Sequence, residues 1–255
     1  MRQSVSFLPI KTPRKSAPFS LGELVDEMVG SELLDGDILV VSSKFIAVSE
    51  GRTVALESVV PSDHASRLAK KLNISPELCE LVIRESDDVI GGVSGFMLTL
   101  KEGLLTPNAG IDKSNIEHGK VVLYPRNPYE SAAALVEEMR FRRGVEIGVV
   151  VSDSRLMPTR KGTIGVALAA AGMDAIVDLR GRPDLFGNVL KVTSQAVADD
   201  LCSGAQVVMG EANESVPVVL VRGLMTNGGR GYRMSSFAVD PEQCVYLRSL
   251  GYRAR

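Results

Sequence analysis

Three apolar runs limit the architecture open to this chain: "DILVVS" from Asp37, "IGVVVS" from Ile147 and "VPVVLV" from Val216. Each is rich in β-branched residues and stops at a polar or glycine-containing stretch, the mark of a buried strand. Around them the text alternates irregularly between strand and helix patterns. "SVSFLPI" reads as a first strand and "LGELVDEMV" as a short amphipathic helix. "GDILVVSSKFIAVSEGR" reads as one buried strand entered through Gly36-Asp37 and left through Glu50-Gly51. On that strand Phe45 and Ala47 would share one face, Ile46 and Val48 the other.

Ser62 opens a helix, "SDHASRLAKKL". Ser75 opens a second, with Pro76 in the first turn, where a missing N–H costs nothing. "FMLTL" and "KVVLYP" are strands, and "PYESAAALVEEMRFRRG" carries a helical apolar face. "NVLKVTS" and "VPVVLVRG" are further strands around a helix in "SQAVADDLCSGAQVVMG". Strands and helices mix without strict alternation, so the fold class is α/β, or mixed α+β: mixed sheets with helices in two interleaved lobes. No repeat or clean linker divides the chain. Residues 1–255 read as a single catalytic unit, in which 225–255, glycine-rich and then basic, form a loosely held tail.

Composition narrows the function. Hydrophobic residues at 45% and charged residues at 24% fit a globular protein, and a net charge of −2 gives no reason to bind nucleic acid or an anionic membrane. Cys79, Cys202 and Cys244 are scattered, against a disulfide framework or a zinc cluster. The start has no signal-peptide run, and "IGVALAAAGMDAIV" is too short and too broken to span a membrane. A cytoplasmic protein is expected. P-loop and G-x-G-x-x-G signatures are absent, and His64 and His118 are the two histidines, so neither a nucleotide P-loop nor a histidine triad is expected.

What remains is acidic. Asp112 lies in the Asn/Gly-rich loop "TPNAGIDKSN", and Asp153 with Ser154 lies at the end of an apolar strand. Glu211, in "VVMGEANES", is a third carboxylate. Carboxylate and hydroxyl oxygens suit Mg²⁺ or Mn²⁺ shared with substrate phosphates. The same residues also suit a turn cap, a strand end and a solvated glutamate, and the residues alone leave both readings open. Lys11, Lys44, Arg155, Arg160 and Lys161 stand near these loops as surface charge or as phosphate partners.

Taken together and in order, "FLPIKTP", "DGDILVVSSK", "EGR", "NAGIDKSN", "GVVVSDS", "GRPDLFGNVLKVT", "AVADDL", "VMGE" and "VPVVLVRGL" resemble the coenzyme F-420-0:γ-glutamyl ligases, nearly end to end. The resemblance implies a GTP-dependent ligase joining L-glutamate to a deazaflavin coenzyme precursor through an acyl phosphate. It implies two divalent ions, Mg²⁺ or Mn²⁺, allows a K⁺ ion, and implies a homodimer. By the same resemblance Asp112 and Asp153 are the catalytic carboxylates and share the first metal, while Ser154 and Glu211 hold the second. Nucleotide contacts are implied for Pro9, Ile10, Lys11 and Thr12, for Ser43 and Lys44, and for Asn115. They are implied also for Met209, Gly210, Glu211, Ala212, Asn213, Glu214, Ser215 and Val216.

Two departures stand out. Val48 occupies the position of a family lysine in "S-K-A-E-G-R", and Leu156-Met157 replace a Gly-Arg pair in "D-T-x-G-R-x-x-R-x-G". The second leaves room for a different acceptor or amino acid. The first leaves room for a nucleotide- or metal-binding regulator without turnover.

Overall fold

The computed structural model describes residues 4–224 and 237–253. A five-stranded sheet in the order β1-β12-β2-β8-β9 forms its centre. Its strands are β1 (Ser6–Ile10), β2 (Ile38–Ser42), β8 (Gly148–Leu156), β9 (Thr163–Ala171) and β12 (Val218–Arg222). β2 and β8 run parallel, and every other neighbour is antiparallel. The class is mixed α/β, as the irregular order of strand and helix patterns requires.

The unbroken apolar runs follow from helices on both sheet faces. Leu39, Val41, Val149, Val151, Val218 and Leu220 join a core with α1 (Leu21–Val29) and α5 (Pro128–Arg143). Ile38, Val40, Val150, Val219 and Val221 turn the opposite way, onto α6 (Val197–Met209). Alternate side chains point to opposite faces, so a strand covered twice must be apolar at every position. β9 is the exception in composition, with alanine at four of its nine positions and glycine at a fifth. Its small residues let α6 come close: a Cβ on Gly165 would stand 2.2 Å from the Cys202 carbonyl oxygen.

Between β2 and α5 the chain builds a second core. It contains α3 (Asp63–Leu72), α4 (Pro76–Glu85) and a meander of β4 (Asp88–Val93), β5 (Phe96–Lys101) and β6 (Leu104–Pro107). A two-stranded ribbon of β3 (Thr53–Ala55) and β7 (Lys120–Val122) closes it. Ser62 and Ser75 cap α3 and α4 through their hydroxyls, as expected.

Three sequence expectations need correction. The long strand from Gly36 stops at Ser42, and Ser43–Ser49 form a helix, α2. Phe45, Ile46, Ala47 and Val48 are all buried there, so strand alternation does not apply. A wholly buried run carries no period, and periodicity cannot tell its two conformations apart. "NVLKVTS" is not a strand over its length: Val189 makes an isolated bridge to Pro183, and Ser194 opens the two-residue β11 (Ser194–Gln195), paired with β10 (Val177–Asp178). Val189 and Val192 stand exposed on the excursion between them. Finally, β8 runs three residues beyond Asp153, paired with β9 across a bulge at Val151/Ser152. Its parallel neighbour β2 ends at Ser42, opposite Ser152, so Asp153 still lies just past the end of the parallel pair.

Of the stretch read as a tail, residues 225–236 fall outside the described residues. Beyond them lies α7 (Val245–Ser249), with Leu247 buried, and the Tyr252 hydroxyl donates to Asp88 Oδ2 at 3.0 Å. Among the described residues, no helix is long and apolar enough to cross a membrane.

Candidate active site

A cleft of about 860 Å³ opens where β2 and β8 end, walled by the loop after β6 and by the segment after α6. The loop is shaped by backbone. Asn108, Ala109 and Gly110 take left-handed conformations in succession, a costly run for residues with a Cβ. Three bonds hold it: Asn108 Oδ1 accepts from the Met97 N–H at 2.8 Å, the Ala109 N–H donates to Thr99 Oγ1 at 3.1 Å, and Ile111 N–H returns to the Asn108 carbonyl. Gly110 has a further reason: a Cβ there would lie 2.6 Å from the Tyr124 ring.

The loop then delivers Asp112, whose backbone exchanges two hydrogen bonds with Val122. Its side chain faces the cleft. Lys44 Nζ lies 2.5 Å from Asp112 Oδ2, and the Ser114 N–H donates to Oδ1 at 2.7 Å. Burial pushes the Asp112 carboxyl up, but the Lys44 charge and the hydrogen bonds from Lys44 and Ser114 outweigh it. The net effect holds the group below the usual carboxylate range.

Asp153 is held on both oxygens. The Ser43 hydroxyl donates to Oδ1 at 2.9 Å, and Arg155 Nε donates to Oδ2 at 3.0 Å. Arg155 is buried and also reaches the Leu105 carbonyl across to β6. Glu211 collects the Ser154 hydroxyl at 2.8 Å, the Gln206 amide at 2.8 Å and the Thr163 hydroxyl, all on Oε1. Across the mouth, Asn115 Nδ2 donates to the Ala212 carbonyl at 2.6 Å.

Asp112, Asp153, Ser154, Glu211, Ser43, Lys44, Asn115, Thr12 and the whole segment 209–216 therefore line one cleft. Pro9, Ile10 and Lys11 do not. Pro9 and Ile10 end β1 and Lys11 follows it, with Ile10 in the core and Thr12 N–H bonded to the Ser215 carbonyl at 3.1 Å. Arg155 lines the cleft and Arg160 and Lys161 stay outside it. Thr163, Gln206, Arg14 and Lys15 also line it and were not anticipated. Thr163 meets Glu211 through the tertiary fold, whereas Gln206, in the last turn of α6, reaches it from five residues upstream.

The donors are oxygens: the Asp112 and Asp153 carboxylates and the Ser154 hydroxyl–Glu211 carboxylate pair, all lining the one cleft. Among the described residues, no three His, Cys, Asp or Glu side chains gather at one point. That set fits a hard divalent cation completing its shell with substrate oxygens, and not a protein-caged soft metal. Asp112 already accepts a positive centre, the Lys44 ammonium, on its cleft side.

The sequence profile of the F420-0:γ-glutamyl ligases matches residues 10–223. The chain belongs to that family of ligases. Among its relatives in this family, a coenzyme F420:L-glutamate ligase of Methanocaldococcus jannaschii is 40% identical over 198 residues, 77% of this chain and 79% of the relative. The protein of that name from Methanopyrus kandleri is 36% identical over 218 residues, 85% and 86% of the two chains. The Archaeoglobus fulgidus protein is 37% identical over 208 residues, 82% and 83%. The cleft and all its acidic residues fall inside the span that the family profile covers.

Proposed function

We propose that this F420-0:γ-glutamyl ligase family member is a GTP- and divalent-metal-dependent enzyme. It joins L-glutamate by an amide bond to the deazaflavin coenzyme precursor F-420-0. The observation that carries the reading is the meeting of Asp112, Asp153 and Glu211, from three distant segments, around one cleft walled by residues 209–216. The family's name supplies the acceptor, F420-0, and the relatives' names supply L-glutamate.

In this reading Asp112 and Asp153 hold one Mg²⁺ or Mn²⁺, and Ser154 with Glu211 the other. Such ions, when bound, withdraw charge from the nucleotide phosphates. Ser43 and Arg155 fix the Asp153 carboxylate, and Thr163 and Gln206 fix Glu211. Lys44 and the segment 209–216 face the nucleotide, and Asn115 orients its base end. An acceptor carboxylate oxygen attacks the γ-phosphorus, GDP leaves, and the glutamate α-amine then displaces phosphate from the acyl carbon. The work of the protein is positioning and charge stabilisation, so no histidine or cysteine nucleophile is required.

Mass spectrometry of F-420-0 incubated with GTP, Mn²⁺ and glutamate tests it. A glutamyl adduct that disappears when any component is omitted is expected; no adduct under the full mixture overturns the reading. A homodimer and stimulation by K⁺ belong to the same reading and are checked by sedimentation and by replacing K⁺ with a quaternary ammonium ion. A second reading, ligation to another acceptor, is favoured by Leu156, an apolar side chain on the cleft wall where the family pattern has glycine. The same assay with a panel of carboxylate acceptors separates the two.

A further inference from the structure

We propose that Lys44 and Asp112 form a counter-ion lock: the ammonium stays on Asp112 until a cation replaces it there, and only then serves a substrate phosphate. The proposal rests on the metal and nucleotide reading above and adds an order of events to it.

An ammonium has three protons to donate. Those of Lys44 have three acceptors within reach: Asp112 Oδ2 at 2.5 Å, Ser114 Oγ at 2.7 Å and the Ser114 carbonyl at 3.0 Å. It has nothing left for a phosphate without giving one up. On Asp112, Oδ2 takes both Lys44 and the Ser114 hydroxyl at 3.0 Å, while Oδ1 takes the Ser114 N–H. Lys44 therefore cannot donate to a substrate phosphate while its three protons serve Asp112 and Ser114, and the Oδ2 that it occupies is closed to a cation.

With a divalent ion held by Asp112, the ammonium would lose its place on Oδ2 and be repelled by the neighbouring charge. Lys44 has a flexible stem, and its side chain keeps 24% of its exposure, so it is free to turn into the cleft. The contrast with the other ion pair is informative. Arg155 is only 5% exposed and is also tied to the Leu105 carbonyl, so it stays on Asp153 whatever binds. One pair is built to hold and the other to exchange.

The decisive measurement is a double-mutant cycle on metal-free binding of GTP, by calorimetry in EDTA. Asp112→Asn removes the charge that holds Lys44, and GTP affinity should rise about tenfold, the worth of one charge-assisted hydrogen bond. Removing a carboxylate also removes repulsion, so the second background matters: with Lys44→Met the same Asp112→Asn change should gain threefold or less (about). A gain that persists in the Lys44→Met background, or no gain in either, overturns the lock. Mn²⁺ binding to the nucleotide-free proteins by electron paramagnetic resonance separates this from the wider reading. Lys44→Met should bind Mn²⁺ more tightly than the parent. Mn²⁺ that binds equally to both sinks the lock alone, whereas no Mn²⁺ binding to any variant removes the metal site and the lock together. Should Asp112→Asn fail to fold, Asp112→Ser carries the same cycle.

Discussion

Arg155 and Asp153, two residues apart on β8, point the same way and close an ion pair of 3.0 Å at the end of the parallel strands. Both side chains are largely removed from water, at 5% and 18% exposure. Breaking such a pair from one side leaves a carboxylate with less compensation than it was built for. Arg155→Met should therefore destabilise the protein by about 3 kcal/mol, and it also removes the link to the Leu105 carbonyl. Urea unfolding of the variant checks this. A loss below about 0.5 kcal/mol, the range of ordinary surface changes, would show that the pair is not part of the framework.

Asp112→Asn and Asp153→Asn keep size and most hydrogen bonds while removing charge. Each should reduce glutamyl transfer by at least about a hundredfold, as expected when a metal-holding carboxylate is lost. Each should also weaken Mn²⁺ binding with little change in circular dichroism. Near-normal turnover of either variant at low Mn²⁺ contradicts the assignment of the two carboxylates.

Acid sensitivity should appear far from the cleft. Glu80 on α4 accepts the Ser62 N–H at 2.9 Å and the Ser62 hydroxyl at 2.7 Å, and Arg84 Nε donates to its other oxygen at 2.7 Å. The hydrogen bonds from the Ser62 backbone, the Ser62 hydroxyl and Arg84 hold its carboxyl down at about 2. A depressed folded value gives stability that is present above the unfolded value of about 4.3 and is lost as pH falls toward 2. Melting temperatures between pH 7 and pH 2 should thus fall more steeply for the parent than for Glu80→Gln. Parallel curves would mean that the link from α4 to the start of α3 contributes no acid-sensitive stability.

Much of this molecule is legible in local chemistry. Ser62, Ser75 and Pro76 announce two helices because a cap acts within a few residues. The three apolar runs announce the central strands because covering both faces removes all alternation. The same property hid α2: "SKFIAVS" is buried on all sides, so its pattern carries no period to read. β9 was missed because alanine has weak strand preference, and its reason for being small, the approach of α6 at Cys202, is tertiary. In the cleft, residue type and loop chemistry point to Asp112 and Asp153. The contacts of Lys44 with Asp112, of Ser43 with Asp153, and of Ser154 and Thr163 with Glu211 depend on how distant segments meet; Arg155 and Gln206 are near neighbours in sequence of the carboxylates they hold.

Val48 supplies the sharpest remaining test, because its surroundings differ from those the strand reading assigned. It sits on α2 one turn beyond Lys44, so both share a helix face, and it lines the cleft while packing with Ala47 and Val122. At 6% exposure it is a core residue, yet a lysine placed there has a stem long enough to lie along the apolar wall and put its ammonium in the cleft. Val48→Lys should therefore tighten GTP binding in the presence of Mg²⁺ by about tenfold, the effect of one charge-assisted bond. It should also lower stability by roughly 1–2 kcal/mol through overpacking beside Phe19 and Ile116. Calorimetry and thermal melts of the one variant read both effects. A lowered melting temperature with unchanged GTP affinity would place the new ammonium away from the phosphates, and Val48 would then be a packing residue only.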